Sequence, residues 1–272
     1  VRTKNITVKL VVVIVASAIM VLISIKAGGG NLEPTAPPGP TMKTLDQVEP
    51  RIPIGQADVP MTISTPGSYY LTEDVSSAVT AITIAVDDVT IDLAGFALVG
   101  SGSGSGIYMN GRNNVEIRNG TVRDFNYGIY ENSSNGKGHR VIDVRVIYNG
   151  YRGIYLSGNG HLVKSCTAGN NGNSATGNVY GIYASYGSTV TGNTAYHNGD
   201  SATGSNVYGI YASSGSTVTT NTAYYNGFGA SGNGYGIYLA GNCLVDQNTA
   251  YNNDGTNMNK PANCTFGTNH AP

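Results

Sequence analysis

The sequence predicts an all-β chain, a right-handed single-stranded parallel β-helix of about six coils preceded by an N-terminal apolar helix and a linker. Three observations carry this. Gly-Ile-Tyr recurs at 106–108, 128–130, 153–155, 181–183, 209–211 and 236–238, at intervals of 22 to 28 residues. A fixed tripeptide at such spacing marks stacked supersecondary units. A second constant segment accompanies the later repeats: SCTAGNNG (165–172), GNTAYHNG (192–199), TNTAYYNG (220–227) and QNTAYNND (247–254). Finally, 38 of 272 residues are Gly and 11% are charged, against a usual ~25% charged. Many tight turns around units that bury small side chains satisfy both facts.

The N-terminus comes first in the chain. Arg2, Lys4 and Lys9 precede an apolar run from Leu10 to Ile25, the pattern of a secretory signal. A run of this length falls short of a ~30 Å hydrocarbon core, although a span starting near Ile6 would cross with Lys9 snorkelling. Residues 1–26 therefore read as a signal peptide or a retained signal anchor, and the remainder as exported to the cell surface, periplasm or medium. Residues 27–44 (AGGGNLEPTAPPGPTMKT) form a Gly/Pro-rich linker with nothing to pack. Residues 45–105 then make the N-terminal cap and first coils, and 106–272 the repeat coils.

Within the repeats, short β-branched and aromatic runs alternate with polar residues between Gly and Asn, which describes strands of three to five residues. Period-two alternation puts Ile107, Ile129, Ile154, Ile182, Ile210 and Ile237 in one internal column and Tyr108, Tyr130, Tyr155, Tyr183, Tyr211 and Tyr238 in an external one. Val163, Val190, Val218 and Val245 recur three residues before a Cys or Asn. Asn193, Asn221 and Asn248 stack at a turn, with Cys166 filling that column as a small buried residue. The longer intervals place their extra residues at 173–179, 200–207 and 228–234, so these loops should project from one edge.

Several stretches are similar to a known family: PGSYYLTEDV (66–75), ITIAVDDVTIDLAGFALVG (82–100), NNVEIRNGTVRDFNYGIY (113–130) and HRVIDVRVIYNG (139–150). They resemble bacterial right-handed parallel β-helix repeat proteins of the pectin-lyase-like superfamily, and MKTLDQVEPRIPI (42–54) resembles the segment that opens many such domains. The resemblance spans about Met42 to Pro272. It implies the fold and leaves function open, since relatives include lyases, glycosidases, epimerases, tailspikes and proteins without known activity.

Relatives that act on polysaccharides use carboxylates, calcium and a basic residue. Between Thr167 and Val245 the sole charged residue is Asp200, beside His197. Charge gathers earlier, and Glu131, His139, Arg140, Asp143 and Arg145 are the candidates for acid–base chemistry. Glu116 falls one rung from Arg140, and the plain reading of the region is a ladder of surface ion pairs. Asp87, Asp88 and Asp92 lie in a strand–turn–strand pattern, where Asp ordinarily caps backbone; calcium, needing six or more oxygens, is the minor alternative there, and no other cofactor or metal is expected.

The first functional reading is accordingly a non-catalytic carbohydrate-binding or envelope-structural protein. Its binding candidates are Tyr130, Tyr155, Tyr183, Tyr211, Tyr238, Tyr196 and Tyr224, and its partner a neutral polysaccharide or envelope component. The bland alternative is that these tyrosines only brace adjacent coils. A lyase or hydrolase in the charged coils, and an adhesin using loops 173–179 and 200–207, are the other readings. A net charge of −1 without a basic face argues against nucleic acid. The membrane enters as a partner only through an uncleaved N-terminal segment. Cys243 and Cys264, 21 residues apart in aligned segments, are expected on neighbouring rungs, where a disulfide is permitted.

Overall fold

The computed structural model describes residues 50–173, 175–204 and 206–272. The signal or anchor expected at 1–26 and the linker at 27–44 lie outside them. Among the described residues no helix is long and apolar enough to cross a membrane.

The chain winds into a parallel β-solenoid. One sheet has nine strands, one from each coil, and a second sheet of sixteen strands wraps the other sides. Every pairing within the two sheets is parallel, as in Tyr127–Glu131 beside Arg152–Leu156 and Arg140–Ile147 beside Val115–Arg123. About six coils were expected; among the described residues the nine-stranded sheet counts nine. The extra ones lack Gly-Ile-Tyr and fill its isoleucine position with Met61 and Ile82 before the repeats and Met258 after them.

Three interior columns form the core. The isoleucines from Ile107 to Ile237 are in register and fully buried, as the sequence requires. A second column runs Tyr69, Ile91, Ile117, Val141, Val163, Val190, Val218, Val245. The third tapers from Leu98, Val122 and Val146 to Ala168, Ala195, Ala223 and Ala250. Burying such columns against one another supplies the driving force, at about 25 cal/mol per Å² of apolar surface.

Between the columns the chain bends, and each bend is built alike: a residue with positive φ followed by a buried polar side chain. The expected Asn column is one of these. Ser165, Gly192, Thr220 and Gln247 have φ of 53° to 67°. The next residue's backbone N–H (Cys166, Asn193, Asn221, Asn248) donates to the amide oxygen one coil on, at 2.8–3.0 Å. A second asparagine column, Asn149, Asn171, Asn198, Asn226 and Asn253, does the same at 3.0–3.2 Å. The third holds His139, His161, Ser188, Ser216 and Cys243, each after a positive-φ residue. His139 N–H donates to His161 Nδ1, His161 N–H to Ser188 Oγ and Ser188 N–H to Ser216 Oγ, all at 3.2 Å. A left-handed residue other than Gly costs about 1–2 kcal/mol, offset by the ladder bonds that pair the corner N–H groups named above.

The second ladder also explains the glycine of Gly-Ile-Tyr. A Cβ on Gly209 would lie 2.5 Å from Asn226 Nδ2 and 2.7 Å from the Gly236 carbonyl. Only a hydrogen fits beneath the amide column. The loops at 173–179, 200–207 and 228–234 stack as expected: Thr203 N–H donates to Ala175 O and Ser231 N–H to Ala202 O. They enclose a small apolar cluster of Ala175, Val179, Ala202 and Val207.

Candidate functional site

The outer face of the nine-stranded sheet carries two columns of aromatic rings. The expected one, Tyr108, Tyr130, Tyr155, Tyr183, Tyr211 and Tyr238, is in register, with centroids 4.4–6.0 Å apart between neighbours. Beside it runs an unexpected column: Tyr127, Arg152, Tyr180, Tyr208 and Tyr235. Tyr180–Tyr208 and Tyr208–Tyr235 stack at 5.1 and 5.3 Å. The two columns meet mostly edge to face, as in Tyr208–Tyr211 at 5.2 Å and 87°. Strict alternation from Ile129 would place Tyr127 inside. At the glycine, however, two consecutive residues face the interior, so the tyrosines three apart both point out. The longer word Tyr-Gly-Ile-Tyr, present at 127–130, 180–183, 208–211 and 235–238, was the available signal.

This herringbone strip is half-buried, and its ring faces are occupied by one another. It presents ring edges and phenol hydroxyls rather than the open faces expected from the sequence. Burial pushes Tyr180 up to about 12 and raises Tyr183, Tyr208 and Tyr211, so these hydroxyls remain protonated donors at neutral pH. Tyr196, Tyr224 and Tyr251 form the second expected row on another face, near-parallel at 5.5 and 5.4 Å. His197 stacks on Tyr225 at 5.2 Å and its Nδ1 lies 2.8 Å from Asp200.

The charged early coils divide between surface and interior. On the surface, Arg51, Asp92, Arg118, Glu116 and Arg140 form a continuous ion-pair chain with N–O distances of 3.0–3.5 Å, including the expected Glu116–Arg140 contact. Asp143 and Arg145 line a groove of about 270 Å³ with Gly95, Asn119, Gly120, Val144 and Ser165. Arg145 also borders its continuation of about 380 Å³, with Asp74, Thr121 and Arg123. Arg145 Nε donates to Thr121 Oγ1 at 3.2 Å.

Glu131 and His139 are instead completely buried. Glu131 occupies the inward position held by Met109 and Leu156 on the flanking rungs. Its carboxylate accepts the N–H groups of Gly111 and Ser133, and His139 Nε2 lies 3.5 Å away. Because His139 Nδ1 accepts the Val115 N–H at 3.4 Å, the neutral ring carries its proton on Nε2. The His161 ring stacks on it at 5.0 Å. Neither Glu131 nor His139 reaches a surface where a polymer could lie, so of the five acid–base candidates only Arg140, Asp143 and Arg145 remain on the outside.

Among the described residues no group of three metal-ligating side chains occurs. Asp92 Oδ1 accepts the Ala94 N–H at 2.9 Å, the local capping expected of a turn aspartate, whereas Asp87 reaches the next coil, accepting both the backbone N–H and the side-chain amide of Asn113 at 2.9 Å. Burial opposes the Asp92 charge, but Ala94, Asn119 and Arg118 outweigh it and hold the carboxyl below its ordinary value. Cys243 and Cys264 sit on adjoining rungs as free thiols, with Cys243 N–H directed to Cys264 Sγ at 3.2 Å. Burial pushes the Cys166 thiol up to about 12, as suits an inert filler.

A family model for the right-handed β-helix region matches residues 105–271. No curated protein matches the sequence. A similar solved structure is the A-module of mannuronan C-5 epimerase AlgE4 from Azotobacter vinelandii, 14% identical over 81% of this chain and 85% of that one, with a TM-score of 0.36.

Proposed function

Starting from a chain that belongs to the right-handed β-helix family, we propose an exported, non-catalytic protein that binds carbohydrate along its tyrosine strip. The observation that carries this reading is the double column itself. Ten tyrosines in register across six coils offer a flat face, neutral except at Arg152, with hydroxyls repeating about every 4.8 Å along the axis. An extended glycan lying along that axis meets protonated phenols that donate and accept hydrogen bonds, and ring edges that cover its apolar patches. No carboxylate occupies either column, so the strip lacks an acid–base pair. Export rests on the charged-then-apolar N-terminal sequence.

The test is a panel of neutral oligosaccharides against wild type and the double variant Tyr183→Ala/Tyr211→Ala, with circular dichroism melts as a fold control. A loss of tenfold or more in affinity is expected; unchanged binding would leave the strip as bracing alone. A second reading, a polysaccharide lyase or hydrolase, has one observation in its favour: charged groups of both signs, Asp143, Arg145 and Arg123, line an open groove. Release of reducing ends or of an unsaturated, ultraviolet-absorbing sugar from a polysaccharide library, lost in Arg145→Ala, would establish it.

A further inference from the structure

The tyrosine strip contains one cation. Arg152 takes the position that Tyr127 and Tyr180 hold on the flanking rungs. Its guanidinium carbon lies 4.1 Å from the Tyr155 ring centroid, 4.8 Å from Tyr151, 5.4 Å from Tyr180, and 6.0 Å from both Tyr127 and Tyr130. Among the described residues it forms neither a hydrogen bond nor an ion pair, and its Nε is buried without a partner. The carboxylate on the adjoining rung, Glu131, faces the interior and is held by Gly111 and Ser133. Five phenol rings therefore surround a charge that has no counterion among the described residues.

Aromatic rings satisfy the flat faces of a guanidinium through cation–π contact. They leave its in-plane N–H fork unused, and that fork is the part matched to an oxyanion. A buried N–H without an acceptor is costly, and an incoming oxyanion would lower that cost while the neighbouring tyrosine hydroxyls add donors. The rest of the strip is neutral over roughly 25 Å of axis at about 4.8 Å per coil. A polymer charged on every sugar would leave most of its anions against uncharged phenols.

We propose that Arg152 and its ring of tyrosines form an anion-reading subsite that selects a mostly neutral glycan carrying a sparse oxyanion substituent. This deepens the carbohydrate-binding reading of the same strip and rests on it. Carboxylate, sulfate and phosphate substituents share the required chemistry, so the test separates them.

The experiment uses matched oligosaccharides of one backbone, unsubstituted or carrying a single carboxylate, sulfate or phosphate, repeated over several neutral backbones, with oligogalacturonate as the fully charged comparison. Wild type is compared with Arg152→Gln and with Arg152→Tyr, which restores the column's own residue and so preserves the stack. In wild type at least one singly substituted member should bind tenfold or more tightly than its neutral partner and than oligogalacturonate. Both variants should lose that gain, so that the substituted member binds no more than twofold more tightly than its neutral partner. The inference is overturned if no anionic member binds, if none outbinds its neutral partner, if oligogalacturonate binds best, or if Arg152→Tyr keeps the gain. Neutral binding without any anionic preference leaves the carbohydrate reading standing and removes this subsite. Arg152-dependent binding of anionic members alone retains the subsite and removes the neutral strip.

Discussion

Replacing Asn221 by alanine tests the corner ladders directly. Its amide oxygen accepts the backbone N–H of Asn193 at 3.0 Å and the Asn193 side-chain amide at 2.9 Å. Its own Nδ2 donates to Val190 O at 2.8 Å and to Asn248 Oδ1 at 3.0 Å. Asn221, Asn193 and Asn248 are all about 1% exposed, so water cannot replace what is lost. The substitution strands two buried donors on Asn193 and one carbonyl at Val190. At about 1–3 kcal/mol for each stranded group, and with partial relaxation of the coil, the expected loss is roughly 3–6 kcal/mol. Urea unfolding followed by circular dichroism reads the total. Hydrogen exchange at the Asn193 amide reads the site, and protection there should fall more than at Val218 in the core. Asn263→Ala is the control, because Asn263 is exposed, lies outside the left-handed corners and its side chain donates only to Asn242 Oδ1 at 3.2 Å; its cost should stay within about 0.5 kcal/mol. A loss below about 1 kcal/mol for Asn221→Ala, with the Asn193 amide still protected, would refute the account of the bends.

Two further predictions concern the third ladder. Burial, aided by the neighbouring His139, holds the His161 imidazole down to about 3, against about 6.5 in an unfolded chain. Below pH 6.5 the unfolded chain therefore takes up a proton that the folded chain refuses, and stability falls towards pH 3 by up to about 1.4 kcal/mol per unit. His161→Ser, which copies Ser188 on the next rung, should remove this part of the acid sensitivity in urea melts at pH 7 and pH 4; an unchanged pH slope would show that the ring is not held neutral. For the cysteines, thiol titration in denaturant after air oxidation should find one reactive thiol, that of Cys166, if the neighbouring rungs bring Cys243 and Cys264 together. Finding all three would mean that the pair does not close.

The columns that repeat a residue type were legible before any coordinates. Ile107 to Ile237, Asn193 to Asn248, and the Glu116–Arg140 contact all follow from counting coils and alternating sides. The count itself fell short because Met61, Ile82 and Met258 fill the isoleucine position without the flanking Gly and Tyr. The second asparagine column was equally periodic, but Asn171 and Asn198 sit in NNG and HNG, where they read as ordinary turn residues. Glu131 shows a different failure. Alternation from Ile129 puts it inside, yet carboxylates are so seldom buried that its charge argued for the surface. The donors that hold its carboxylate, the N–H groups of Gly111 and Ser133, come from loops whose approach no local pattern reveals.

The same geometry separates what holds this chain together from what it displays. Ile, Val and Ala columns fill the interior, and Asn, Ser and His seal the corners, so altering any of them changes the fold before it changes a surface. The tyrosines and Arg152 point outward and touch mainly one another. Tyr183 stacks on Tyr155 at 4.4 Å and on Tyr211 at 5.0 Å. Such a pair contributes about 0.5–1.5 kcal/mol beyond the area it buries. Removing Tyr183 and Tyr211 together therefore costs a few kcal/mol spread over adjoining rungs, while the nine-rung interior beneath keeps its register. Arg152→Tyr replaces cation–π contacts with a ring stack of similar worth and disturbs the solenoid least of all. A change in glycan binding by that variant therefore reports on the guanidinium fork itself, because neither the column nor the core has been altered.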